Sequence, residues 1–435
     1  MKEQMKSSGI DWIGDIPESW KVKPIAYMTK SRSGGTPDRN NLLYWENGTI
    51  PWMSSGEVNK VNIYDTDEKI TTLAVHHSSA KIISKNAVMV ALNGQGKTKG
   101  MSAILRIDSA CNQSLCAFSC NAGILYYEYL FCCFQTMYTY LRQMSGDDVR
   151  DGLAASYVKK QKIPVPKYKE QQAIADFLDK ECAQIDSIAA DLEKQIALLQ
   201  QYKKSLITET VTKGLDKSVP MKDSGVEWIG EIPEHWNVLR VKDISKLQTG
   251  TTPPGNEGVN FDNDGIQWFT PADFNDGSIK LGLAEKSIDF DTIHRENIKA
   301  YPANTVLFVG IASIGKIGFS PNTCYSNQQI TGIKPNNNKN GKYIAYSLLA
   351  GMDSIKDNAL YTTVPIVNNA YLGNIKISFP PTNEQETITK YLDYATSSVD
   401  EIIGKKLEQL STIQQHKKSL IYEYVTGKKR VKEVQ

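Results

Sequence analysis

Leu178, Ile185, Leu192, Leu199 and Leu206 recur every seventh position through a stretch, Glu170 to Thr212, that holds neither glycine nor proline. With Ile174, Ile188, Ile196 and Tyr202 alongside, the pattern predicts a coiled-coil seam on a helix about 65 Å long. Near the other end of the chain Leu392, Val399, Ile413 and Leu420 keep the same register, with Lys406 interrupting it and Leu407 beside it. Thr382 followed by Gln385 reads as a capping box at the start of that helix. One such helix alone would leave its apolar stripe in water, so the two are expected to pair antiparallel and hold globular domains apart.

Other stretches change period from helical to alternating or short β-branched runs. Ala87–Leu92, Ser102–Ile107 and Leu115–Ser119 predict strands, as do Thr305–Gly310, Lys316–Phe319 and Ile330–Ile333. Each trio is followed by a helical stretch, about Tyr126–Gln143 and Lys342–Asn358, and then by a strand ending in proline, Lys162–Pro166 and Lys376–Pro381. The expected fold class is α+β: two homologous mixed α/β domains separated by two long antiparallel coiled-coil helices. Residues 1–167 and 216–381 are read as the domains, 168–215 and 382–427 as the helices, and 428–435 as a basic, solvated tail.

The two trios belong to an internal duplication. Ser8-Gly9-Ile10-Asp11-Trp12-Ile13-Gly14-Asp15-Ile16-Pro17-Glu18-Ser19-Trp20 returns 216 positions later as Ser224-Gly225-Val226-Glu227-Trp228-Ile229-Gly230-Glu231-Ile232-Pro233-Glu234-His235-Trp236. The same offset carries Gly34-Gly35-Thr36-Pro37 to Gly250-Thr251-Thr252-Pro253 and Trp52 to Trp268; it is 218 at Asn86 and Asn304. It settles at 214 where Glu170-Gln171-Gln172-Ala173-Ile174 matches Glu384-Gln385-Glu386-Thr387-Ile388. A period this long is a pair of domain-sized copies, not a solenoid. Between the anchors the copies diverge, as two readers with different targets would, or as copies drifting neutrally after duplication would.

Composition narrows the function classes. A chain of 435 residues, 40% of them hydrophobic, fits a soluble protein of two to four domains. No apolar run approaches the roughly 20 residues of a membrane span, and no secretory signal follows Met1, so a cytoplasmic protein with no membrane partner is expected. Seven cysteines with no framework spacing read as reduced thiols. Cys111, Cys116 and Cys120 lack a nearby histidine and have no counterpart in the second copy, so they read as core thiols and no metal site is expected. A net charge of only +2 predicts that any grip on nucleic acid is shared with partners.

The series Trp12 to Trp20, Gly34 to Pro37, Ile163 to Pro166 and Glu170 to Ile174 resembles the target-recognition domain and adjoining helix of type I restriction-modification specificity subunits. The second copy repeats it at Trp228 to Trp236, Gly250 to Pro253, Ile377 to Pro380 and Glu384 to Ile388, with Ser378-Phe379 in place of Pro164-Val165. The resemblance covers nearly the whole chain. It implies a non-catalytic subunit whose two domains each read one half of a split, asymmetric sequence in double-stranded DNA, with the helices setting the spacer. It further implies two adenine-N6 methyltransferase subunits and two motor-nuclease subunits as partners. S-adenosylmethionine, ATP and Mg would then sit on those partners, with no cofactor on this chain.

Candidate phosphate ligands are Arg32, Lys60, Lys97 and Lys99 in the first domain and Lys246, Arg295 and Lys316 in the second. Arg39, Asn40 and Asn41 in one divergent loop, and Asn256, Asn260, Asn263 and Gln267 in the other, carry the side chains suited to base edges. Asn112-Gln113 and Asn327-Gln328, at equivalent places near the strand cores, read as internal hydrogen-bonding groups. Ala91-Leu92-Asn93-Gly94-Gln95-Gly96-Lys97-Thr98 satisfies a relaxed phosphate-loop pattern, which leaves a nucleotide-binding enzyme as one alternative. It leads into a strand rather than a helix, however, and its counterpart at Gly310–Ile317 lacks the hydroxyl that would hold Mg²⁺. The other alternative is a coiled-coil scaffold that binds no DNA.

Overall fold

The structure is a computed structural model that describes residues 4–94, 96–144, 152–256, 258–260, 265–336, 339–358, 360–361 and 365–431. The chain divides into two compact units, Met1–Asp191 with Gln409–Gln435, and Leu192–Glu408. Both boundaries fall inside the long helices, which span Tyr168–Lys213 and Thr382–Val425. Each unit therefore holds one globular α+β domain, the first part of the helix that follows it, and the last part of the other helix.

In the first unit five strands lie in the order Thr29–Ser33, Leu115–Cys120, Val88–Ala91, Ser102–Leu105 and Asn62–Ile63. All neighbours are antiparallel except the last pair. Alternation assigns the two faces. Val88, Val90, Ile104, Cys116 and Phe118 meet the helix Tyr127–Met144, while Met89, Ala91, Ala103, Leu105 and Leu115 meet Met53, Val58 and Ile63 on the other side. Because both faces are buried, the strands read as continuous apolar runs. A second, three-stranded sheet joins Ala110–Cys111, Ile50–Met53 and Glu68–Ile70 around buried Trp52.

The second unit repeats this with Ser245–Thr249, Ile330–Pro335, Thr305–Val309 and Ile317–Ser320, and with a smaller sheet around Trp268. The helix expected over Lys342–Asn358 is instead two, Gly341–Ala350 and Met352–Asp357. They break at Gly351, where a Cβ would stand 3.1 Å from the Trp228 ring. Asn86 and Asn304, matched by the duplication, both take a left-handed backbone, φ 68° and 66°.

Within each unit the helix segments run antiparallel. In the first, Phe177 stacks against Tyr424 at 4.5 Å while Asp186 meets Lys417 at 2.6 Å. In the second, Lys203 meets Asp400 at 2.7 Å and Gln195 accepts from Lys406 at 2.5 Å, which explains the polar residue in the heptad register. Leu178, Leu192, Leu392, Val399 and Leu420 are buried, and Ile185, Leu199, Leu206 and Ile413 are half-buried. Ile188, Tyr202 and Leu407, expected beside the seam, are instead about half exposed. The reason is the period. Ile174, Ile185, Ile196 and Ile207 all face inward and stand eleven residues apart, three turns of a nearly straight helix, so a strict heptad companion rotates off the face.

The helix ends finish each core. Ile207 and Val211 pack into the second unit, and Leu420, Ile421 and Val425 into the first. Each helix stops at a left-handed glycine, Gly214 or Gly427, both at φ 73° and both with the anchor tryptophan, Trp236 or Trp20, 3.1 Å from where a Cβ would be. The expected capping box at Thr382 is absent, because Thr382 already lies in the helix and the Gln385 amide donates to Pro380 O at 2.7 Å. Gln171 makes the equivalent bond to Pro166 O at 3.0 Å. Of the tail expected to be solvated, Lys428 and Lys429 are exposed but not without contacts, and residues 432–435 lie outside the described residues. Arg430 pairs with Glu170 and lies over the Trp20 ring, and Lys428 donates to Ile13 O at 3.4 Å.

Candidate nucleic-acid interface

The anchors of the duplication build the same small frame in both units. Gly34 passes so close to the following loop that a Cβ would stand 2.2 Å from Cys111 O and Asn112 O; Gly250 stands in the same relation to Asn327 O. Only glycine fits such an approach. Two residues on, the Thr36 hydroxyl donates to Gln113 Oε1 at 2.5 Å, and Thr252 donates to Gln328 Oε1. The paired Asn-Gln dipeptides thus divide their roles. Asn112 and Asn327 accept from the backbone N–H two residues ahead, while Gln113 and Gln328 are exposed with their amides pinned from one side.

Trp52 and Trp268 complete the frame, each about 2% exposed. The Trp52 indole donates to Gly35 O at 3.0 Å, which ties its strand to the glycine segment. Over Trp52 and Trp45 lies Arg39, its guanidinium carbon 4.9 and 3.9 Å from the two ring centroids. Glu68 holds the guanidinium with both carboxylate oxygens, the Nη2–Oε2 bond being 2.9 Å. This pairing keeps the Glu68 carboxyl below its ordinary range and raises the guanidinium further. Leu42 and Leu43 on the same loop stand exposed at 60% and 68%, apolar surface of the kind that meets a thymine methyl.

The other candidates are placed less alike. Arg32, Lys97 and Lys246 are exposed, and Arg32 reaches Ile82 O at 3.5 Å. Lys60 is bound to Glu57 and Asp67, which raise its pKa, and Arg295 is bound to Glu296 at 3.0 Å. Lys316, half-buried, donates to Pro271 O at 3.3 Å. Lys99 is 8% exposed, so a phosphate contact through it needs the hairpin to open. Asn263 lies outside the described residues. The Gln267 carbonyl is taken by Ala284 N at 2.5 Å and Asn41 caps Leu43 N at 3.2 Å, so both serve their own loops.

The glycine-rich segment after Ala91 joins two antiparallel strands, with Val88 opposite Ile104. It opens no helix, so it lacks the row of N–H groups that cradles phosphates. Cys111 and Cys116 are buried in the core, and Cys120 is partly buried against it. Burial pushes Cys111 up to about 12 and Cys116 up to about 11, and no metal-ligating cluster occurs among the described residues. No described helix is long and apolar enough to cross a membrane.

What sequence reasoning missed is a buried tyrosine in each unit. The Tyr129 hydroxyl is 3.0 Å from Pro164 O and 3.1 Å from Val425 O; that of Tyr343 is 3.0 Å from Ser378 O and 3.1 Å from Val211 O. Each ties the domain's last strand to the end of the returning helix. The 214-residue offset relates the two and was the available signal.

Two copies of one α+β frame with unlike loops, each closed by paired long helices, define a duplicated recognition protein. The chain matches the type I restriction modification DNA specificity domain over residues 17–198 and 233–412, and so belongs to that family of non-catalytic specificity subunits, which recognise DNA sequence within a restriction-modification complex. It is 25% identical over 438 aligned residues to the type I restriction enzyme MjaIX specificity subunit of Methanocaldococcus jannaschii, covering 97% of this chain and 96% of that one. It is 31% identical to the EcoR124I/EcoR124II specificity subunit of Escherichia coli over 192 residues, 42% of this chain and 45% of the relative. A solved structure described as showing complex assembly and conformational transition of the type I R-M system shares the fold, with a TM-score of 0.70, 16% identity, and 94% and 98% of the two chains covered.

Proposed function

We propose that each unit reads one half of a bipartite, asymmetric DNA site, and that the long helices set the unspecified spacer between the halves. The observation that carries this reading is the pairing of a shared frame with unlike loops. Gly34, Thr36–Gln113 and Trp52 recur as Gly250, Thr252–Gln328 and Trp268, whereas the Arg39 loop has no second copy. A shared frame suits contacts common to any duplex, and unlike loops suit different bases. The repeated helix features support two equivalent seats for methyltransferase subunits, with motor-nuclease subunits joining for cleavage and the S-adenosylmethionine, ATP and Mg carried by those partners. Arg32, Lys97 and Lys246, exposed cations on the two domains, are assigned to phosphate.

Replacing residues 238–375 with the matching segment of another family member is expected to change one half of the methylated sequence only, read by sequencing methylated DNA. A change in both halves refutes the assignment. Inserting eleven residues into both helices, near Leu192 and near its antiparallel neighbours, keeps the isoleucine ladder in phase and is expected to lengthen the spacer. An unchanged spacer refutes the ruler.

A further inference from the structure

The frame tryptophan has a fixed neighbour across its strand, and that neighbour changes sign between the units. In the first unit the register runs Ile50 to Ile70, Pro51 to Lys69 and Trp52 to Glu68. In the second it runs Ile266 to Ile288 and Gln267 to Ser287, and Trp268 N then donates to Lys286 O at 3.1 Å. Glu68 and Lys286 thus occupy the same place beside the same buried ring. Glu68, its side chain 40% exposed, holds Arg39 over the indole. Lys286 puts its own ammonium 5.9 Å from the Trp268 ring centroid, and the 216-residue offset leaves Gly255 where Arg39 stands. The tryptophan, the glycine approach and the threonine-pinned glutamine are retained around the position. A core or a partner-docking surface common to both units has no use for a reversed charge inside an otherwise repeated frame. A surface that must address two different base pairs does.

We propose that the position facing the frame tryptophan, Glu68 with Arg39 in the first unit and Lys286 in the second, determines the base pair accepted in each half-site. The inference rests on each unit reading its own half-site. The chemistry follows from the groups. Arg39 and Glu68 present donors and acceptors side by side, which suits the guanine O6 and N7 and the cytosine amino group of one G·C pair in the major groove; an ammonium at Lys286 suits guanine O6 and N7. The indole below each cation fixes its height, and Glu68 limits the rotamers of Arg39, so the donors are set before DNA arrives.

The test uses the complex assembled with its methyltransferase subunits, after its target has been mapped, and competes the target against duplexes each carrying one altered base pair. Glu68→Gln removes the charged acceptor and keeps the shape. It is expected to reduce the penalty for one altered base pair in one half-site by roughly 10-fold or more, with every other penalty unchanged. Lys286→Gln is expected to do the same in the other half-site, and it leaves the Arg39–Glu68 pair of the first unit intact, so it stands if the first variant fails to assemble. Penalties unchanged at every position, or affinity lowered equally for all duplexes, overturn the inference and leave the separate-unit reading intact. Penalties that shift in both half-sites from a single substitution overturn that reading as well.

Discussion

A single hydroxyl in each unit joins a strand 35 residues away to a helix end 296 residues away in the first unit and 132 in the second. Tyr129 and Tyr343 each stand between the last strand of the domain and the end of a returning helix, fully buried. Phenylalanine at either place keeps the ring but removes the hydroxyl donor shared by two buried carbonyls, although Val211 O keeps the Ser378 hydroxyl as a second donor. Tyr129→Phe and Tyr343→Phe are each expected to lose about 1–3 kcal/mol in denaturant unfolding, with the slope unchanged. The buried thiols make a second residue-scale prediction. Cys111 titrates near 12 and Cys116 near 11 in the fold, against an ordinary 9.0 when unfolded. Above about pH 9 the unfolded chain releases thiol protons that the folded chain retains, so stability falls as pH rises through that window, and Cys111→Ala flattens the fall. The thiols were legible in the sequence as core residues, whereas the tyrosines were marked only by the offset that relates them. An aromatic among strands is ordinary, and only its exact partners, set by the fold, give it a role.

The long helices and most strands were legible because their periodicities run through many residues and appear twice. The seam was legible only in part. Leucines seven apart suggested a heptad, yet the buried face also follows isoleucines eleven apart, because eleven residues make almost three whole turns of an α-helix. The break at Gly351 was hidden because the obstacle, Trp228, is remote in sequence. Twin interhelix ion pairs give a comparison within one molecule. Lys203 keeps only 10% of its side chain exposed, whereas Lys417 keeps 27% and its partner Asp186 61%. Asp400→Asn strands a nearly buried ammonium and is expected to cost about 1–3 kcal/mol, while Asp186→Asn costs under about 1 kcal/mol. Equal losses would mean that the two pairs are equally hydrated.

For the molecule as a whole, duplication and family were plain in the sequence, but the frame around each tryptophan was not. Arg39 was visible as a candidate; that Glu68 and two indoles hold it depends on strand pairing that no local pattern encodes. A net charge of +2 over 435 residues also sets an expectation for the free subunit. Its affinity for duplex DNA should be far below that of the assembled complex when both are titrated at the same salt, because few phosphate charges are neutralised by this chain alone.

The way each core is finished by a distant helix end also sets the order of events at the ribosome. The second unit is one continuous stretch, Leu192–Glu408, complete once its own residues have emerged. The first waits for Leu420, Ile421 and Val425, and for Arg430 to close over Trp20. The domain synthesised first is therefore the last to become whole. A chain stopped after Glu408 should carry a protease-resistant second unit and a protease-sensitive beginning, the reverse of what order of synthesis alone would suggest.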